Sequence, residues 1–461
     1  MTRRYQRSVV IFRRDLRVED NTALNAAMRA SQQVLPCFIF DPRQIQKHPY
    51  QSQPALHFMM QSLADLQQQL HAVGGALALY TGLPEAVLRS LHTQQPLGAV
   101  YVNRDYTPFS RRRDEAIAQV CAELGIDFYS LSDTLLVEPE QALKPDHTPY
   151  QVFTPYYHNA QRRPVALPAP LAGRQFLPPV VAADLELATL ADVAEREGLQ
   201  GGRSAALALL QSLPMLSDYQ TTRDVPALSA TSQLSAHLKF GTCSVREAYH
   251  AIRQHLGSDH ALLRQLYWRD FFTHIGFYFP KVFGQPFLDK YALLSWDNRM
   301  DYFQAWSSGM TGFPIVDAGM RELNATGFMH NRLRMITASF LVKDLHVSWR
   351  WGERYFAQHL VDYDPAVNNG NWQWAASTGC DAQPYFRIFN PWRQQQKFDP
   401  QCGYIYRWLP ELRGFSPDII HHWETRQVQC AYPAPIVDHG RESALSKARF
   451  KAAGDQLGKS D

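Results

Sequence analysis

The chain has 461 residues, 45% of them hydrophobic and 19% charged, which is enough for two or three domains that each bury a core. No run approaches the roughly eighteen apolar residues of a membrane helix, and the apolar run in "MTRRYQRSVVIF" is too short for a secretory leader. A cytosolic protein without a membrane partner is expected, and a formal charge of +3 means that any nucleic acid would have to meet a local basic patch.

The first stretch alternates short β-rich runs with helical ones. "SVVIF" precedes "NTALNAAMRA", "VLPCFIF" precedes "ALHFMMQSLADLQQQLHAVG", "ALALYTG" precedes "LPEAVLRSLHTQ", "GAVYVN" precedes "RRRDEAIAQVCAELG", and "IDFYSL" closes the series. This alternation predicts an open α/β domain with a parallel sheet and crossover helices over residues 5–132. The text after the first strand is "FRRDLRVEDN", with no Gly-rich phosphate loop, which disfavours an ordinary dinucleotide dehydrogenase or P-loop enzyme. Residues 133–205, with "RRPVALPAPLAGRQFLPPVVAAD", are rich in Pro and Ala and lack lasting periodicity, so they read as a connector. From 206 to 461 helical patterns dominate and an all-helical domain is predicted, with most of the chain's aromatic residues falling after position 260. Cys37, Cys121, Cys243, Cys380, Cys402 and Cys430 lie far apart and are expected as free thiols, mostly buried; no paired Cys/His metal spacing, HExxH or GxSxG occurs, and no metal is expected.

In "HNRLRMITASFLVKDL", residues 330–345, Leu333, Ile336 and Phe340 form a core stripe at helical spacing. Asn331, Arg334, Met335 and Ala338 mark a second face. An arginine there is more often solvated or salt-bridged than functional. In "NNGNWQW" the two tryptophans stand two positions apart, so about 200° of helix rotation separates them and they serve two environments. Core packing with a half-exposed anchor explains this as well as a cofactor on one side and a stacked base on the other; pattern leaves both open. Upstream, Asp362 and Asp364 are possible partners for Arg334, though aspartates in a loop are more often caps and turn formers.

Three segments together, "TGFMHNRLRMITASFLVKDL", "SWRWGERYFAQHLVDYDPAVNNGNWQWAASTGCDAQPYFRIFNP" and "TSQLSAHLKFGTCS", resemble the photolyase and cryptochrome family, most closely its class I cyclobutane pyrimidine dimer photolyases. "FRRDLRVEDNTAL" fits as well, so the resemblance covers nearly the whole chain. It implies α/β plus all-α architecture: an N-terminal open parallel-sheet, Rossmann-like antenna domain, a long connector, and a C-terminal all-helical FAD-binding domain. The implied activity is light-driven repair of cyclobutane pyrimidine dimers in damaged DNA by electron transfer from photoexcited FADH⁻ to a flipped-out dimer. A monomer is expected.

By position, the resemblance assigns Tyr219, Thr231, Ser232, Ser235 and Arg269 to cofactor binding, together with Asn331, the pair Arg334 and Asp362, Asp364, and Asn368 facing flavin N5. Trp372, Trp349 and Trp296 match the family's electron-transfer chain. Trp268 and Trp374 match the aromatic walls for the lesion, Met335 lines the pocket, and Asn331 and Arg332 match polar contacts to it. Arg387, Arg393 and Lys397 would follow the DNA phosphates. "TSQLSAHL" departs from the family's usual "TSRLSPYL" at Gln233 and Ala236. A sharper departure is Gln265, where dimer photolyases usually carry Glu: an amide donates to a carbonyl but cannot pass a proton. Gln is familiar there in (6-4) photolyases, which need a histidine pair where this chain has Asn331 and Met335, so (6-4) repair ranks third, behind a cryptochrome-type blue-light receptor. Ser110 stands where folate-binding members tend to have Glu, leaving a deazaflavin, a second flavin, folate or no antenna.

Overall fold

A computed structural model describes residues 3–178, 198–228, 230–425 and 430–457. In chain order the elements are β1 (Tyr5–Phe12), α1 (Thr22–Ala30), β2 (Ser31–Phe40), α2 (Pro42–Ile45), α3 (Gln53–Ala72), β3 (Ala78–Thr81), α4 (Pro84–Gln94), β4 (Ala99–Asn103), α5 (Pro108–Leu124), β5 (Asp127–Leu131), α6 (Phe153–Ala160) and α7 (Arg203–Gln211). There follow α8 (Tyr219–Thr222), α9 (Ser235–Phe240), α10 (Val245–Leu256), α11 (Ala261–Tyr278), α12 (Met300–Ser308), α13 (Pro314–Thr326), α14 (Asn331–Lys343), α15 (Trp349–His359), α16 (Pro365–Ala376), α17 (Pro391–Phe398), α18 (Gly403–Trp408), α19 (Pro417–His421) and α20 (His439–Leu457).

Two compact units result. One comprises residues 1–217 and 232–278, the other 218–231 and 279–461. The division differs from the sequence segments because α7, α9, α10 and α11 pack with the sheet's unit. The first unit holds a five-stranded, wholly parallel sheet, as the alternating pattern predicts, and its strands run in the order β3-β2-β1-β4-β5. Val9 and Val10 of β1 register with Leu35 and Pro36 on one side and Val100 and Tyr101 on the other, and all six are buried, as strands covered on both faces require.

The Arg-rich text after β1 forms ion pairs instead of a phosphate loop. Arg17, 1% exposed, meets both oxygens of Asp133 at 2.8 and 2.6 Å, and Arg246 of α10 reaches Asp20 and Asp133, each at 2.8 Å. Charges this buried persist only when paired, and removing one partner costs about 3–5 kcal/mol. The connector expected at 133–205 is not bare chain: α6 lies inside it and packs on α11. Only eight residues long, α6 offers too few turns for a lasting 3.6 periodicity, so the Pro/Ala background hid it. Part of that segment, 179–197, lies outside the described residues.

The second unit is helical throughout its described residues. Its core gathers Leu333, Ile336 and Phe340 of α14 with Trp306, Trp349, Phe356 and Trp372, all at most 2% exposed. All six cysteines are free. No helix among the described residues is long and apolar enough to cross a membrane.

Candidate functional site

Helix α16 starts at Asp364, whose Oδ1 accepts from the amides of Ala366 and Val367 at 3.0 and 3.1 Å, with Pro365 in the first turn. The capping expected of these aspartates is therefore met at Asp364. Asp362 takes the other expected part: it forms a two-pronged pair with Arg334 of α14, at 3.1 and 2.9 Å, while Arg334 Nε donates to the Met329 carbonyl at 2.8 Å. Three bonds fix the guanidinium in one plane. Arg334 stays half-buried, so its charge is held and not hidden.

One turn into α16 lies Asn368, 9% exposed. Its Nδ2 donates to the Glu353 carbonyl at 3.1 Å and to Glu353 Oε1 at 3.0 Å. The amide is thereby oriented with both donor hydrogens used. Its oxygen accepts no hydrogen bond from the described residues, which leaves an acceptor for a ligand N–H. Glu353 sits on α15 and escaped sequence reasoning: nothing local in either helix announces a pair formed across their packing.

The two tryptophans of α16 differ in burial, although both pack against the same core. Trp372 is 2% exposed within the core that also holds Trp349, and Trp296 packs half-buried against that core. Trp374 is half-buried. Trp306, not singled out from sequence, stands edge-on to Trp372 with centroids 6.2 Å apart, and its indole donates to the Thr337 carbonyl at 3.0 Å.

At the start of α14, exposed Asn331 donates to Met335 Sδ at 3.7 Å. Arg332 pairs with Asp224 at 3.0 Å and covers the Phe398 ring at 4.3 Å. Arg393 and Lys397 are exposed at i, i+4 spacing on α17, and Arg387 is exposed before it. Tyr219 opens α8 with its ring buried, and Thr231 is half-buried.

In the sheet's unit, Ser232 is half-buried and Ser235 opens α9 exposed. On α11, Gln265 is exposed, and Trp268 and Arg269 are half-buried. Arg269 donates to the Thr134 carbonyl at 2.5 Å and the Leu238 carbonyl at 3.1 Å. Its neighbour Asp270 is fully buried, and desolvation raises its carboxyl to about 7 although the amides of Leu136 and Val137 donate to it. Among the described residues no cluster of His, Cys, Asp or Glu could hold a metal ion.

Residues 262–452 match the FAD binding domain of DNA photolyase, and residues 8–172 match the family described as DNA photolyase. A deoxyribodipyrimidine photo-lyase of Alkalihalophilus pseudofirmus is 40% identical over 96% of this chain and 97% of its own. Among solved structures, an archaeal photolyase from Sulfolobus tokodaii with two FAD molecules is 43% identical, covering 97% of this chain and 100% of its own with a TM-score of 0.88. A cryptochrome from Synechocystis is 31% identical, covering 97% of this chain and 100% of its own with a TM-score of 0.87. With both halves matched and relatives aligned end to end, the chain belongs to the DNA photolyase family.

Proposed function

We propose that this protein uses light to repair cyclobutane pyrimidine dimers in DNA, with reduced FAD as its cofactor. The observation that carries this is Asn368: a buried amide whose donors are spent on Glu353 and whose oxygen is left to accept. A reduced flavin ring presents an N–H donor at N5, so the residue fits the group. Once bound, photoexcited reduced FAD supplies the electron that opens the cyclobutane ring.

The chain's own residues do the rest. Arg334, held by Asp362, offers a fixed cation to an anionic flavin, and the Asp362 carboxylate keeps the pair neutral overall. Asp364 and Asn331 join them as cofactor contacts. The Tyr219, Thr231, Ser232 and Ser235 hydroxyls serve the phosphates and neighbouring groups. Arg269, anchored by the Thr134 and Leu238 carbonyls, is assigned a further cofactor contact. Trp372, Trp349 and Trp296 carry electrons inward to a flavin that has become oxidised. Trp268 and Trp374 stack the flipped dimer, Met335 and Arg332 line its place, and Gln265 donates an amide hydrogen to a dimer carbonyl without passing a proton. Arg387, Arg393 and Lys397 meet phosphates, so binding weakens with salt.

Residues 5–132 are assigned to an antenna domain, 133–205 to the connector and 206–461 to the cofactor domain. A second flavin is the proposed antenna, on the strength of the two FAD molecules in the 43% identical neighbour. The protein is proposed to work as a monomer in the cytosol. Chromophore extraction with a flavin-to-protein ratio near two tests the antenna. Trp374→Ala should weaken binding to dimer-containing duplex by roughly 10-fold, in keeping with the loss of one base–aromatic stack, with little change for undamaged duplex. Selective binding of the lesion without light-dependent repair would favour the receptor reading.

A further inference from the structure

Trp268 has an unusual neighbour. Phe153, from α6, lies face to face with its indole, ring centroids 3.6 Å apart and planes 6° from parallel. Aromatic pairs prefer an offset or an edge-on approach, because a full sandwich places two electron-rich faces against each other. Phe271 shows the usual choice nearby, standing edge-on to Phe153 at 77° and to Trp268 at 82°, each at 5.7 Å. The sandwich is therefore imposed by how α6 packs on α11.

Burial points the same way. Phe153 is 1% exposed and Trp268 is half-buried, so the phenyl ring is the fixed element and the indole is what it supports. Around Phe153, Tyr157 stacks at 5.7 Å, and Arg264, one turn before Trp268 on α11, sets its guanidinium 5.3 Å from the Phe153 ring and 5.2 Å from that of Tyr157. Phe153 is thus held by groups from two helices. Phe153 covers one indole face and Phe272, one turn on along α11, stands 5.4 Å away at a 30° tilt, so a stacking ligand has only the accessible part of the indole that these two rings leave.

We propose that Phe153 is a positioning residue for lesion recognition: its ring backs the Trp268 indole, fixing its plane and leaving its accessible part for a stacked pyrimidine. The proposal rests on the reading that Trp268 stacks the dimer. An indole fixed before binding loses less freedom when a base settles on it, so the backing acts on affinity and not on the light-driven step.

The test compares Phe153→Met, which keeps apolar volume without the aromatic plane, with Phe153→Tyr, which keeps the ring, and with Trp268→Ala, all as FAD-loaded protein. Phe153→Met should raise the Kd for dimer-containing duplex roughly 3- to 10-fold, leaving FAD content, affinity for undamaged duplex and repair yield at saturating DNA within about 2-fold. Phe153→Tyr should restore most of the lost affinity. Unchanged dimer affinity in Phe153→Met, while Trp268→Ala loses it, overturns the inference and leaves the stacking role of Trp268 standing. Equal weakening on damaged and undamaged DNA, or loss of FAD, also overturns it, since a merely structural role would act so. If Trp268→Ala binds the dimer normally, the underlying reading fails and the inference with it.

Discussion

Asn368 gains its chemistry from what it gives up. Because both amide hydrogens go to Glu353, its oxygen is left to accept, and the residue cannot flip without placing that oxygen against the two Glu353 acceptors. Asn368→Asp should cost about 1–3 kcal/mol near neutral pH, since a carboxylate returns no donor to the Glu353 carbonyl or carboxylate. The loss should shrink in acid, where a protonated carboxyl donates again; denaturant titrations at two pH values measure both. His274 on α11 gives a second prediction. It is fully buried, and desolvation lowers its ring to about 4 from the usual 6.5. As pH falls below 6.5 the unfolded chain binds a proton that the folded chain refuses, so stability is lost between about 6.5 and 4. Relative to the native chain, His274→Phe should gain on the order of 2 kcal/mol between about pH 7.5 and pH 5, read from melting curves. An unchanged difference across that range would contradict the assignment. From sequence, Asn368 could be singled out only by resemblance, and Glu353 not at all, because their pairing exists only once α15 and α16 pack.

At the scale of elements, α16 brings together a cap, an oriented amide and two tryptophans of unlike burial within twelve residues. Its neighbour α15 comes close because Gly352 has no side chain: a Cβ there would run into the Trp372 ring and Leu341. Gly352→Ala should therefore destabilise the protein by about 1–3 kcal/mol through overpacking. It should also slow photoreduction of oxidised flavin by displacing Trp372. Unfolding and photoreduction traces on the same sample separate the effects, and a stable variant with native photoreduction would contradict this account of the helix crossing. Most elements were legible because their periodicities are long: the core stripe of α14 reads directly from Leu333, Ile336 and Phe340. Helix α6 was not, because eight residues in a Pro-rich segment carry too few turns to show a face. The residue it contributes, Phe153, was therefore missed, and its importance lies in a contact with a distant helix.

For the whole molecule, the alternating sequence made the parallel crossovers plain, while the strand order β3-β2-β1-β4-β5 emerges only from how the strands pair. The buried Arg17, Asp133 and Arg246 network explains why the text after β1 is rich in arginine without being a phosphate loop. What the sequence could not settle was where one compact unit ends, since that depends on α11 packing with the sheet's unit instead of with the helices that follow it. Catalysis is measured most directly as the number of thymine dimers restored per protein molecule. Protein carrying reduced FAD should restore many dimers per molecule in dimer-containing duplex under near-ultraviolet or blue light, and none in the dark. Restoration that never exceeds one dimer per molecule, or that proceeds equally in the dark, would contradict it.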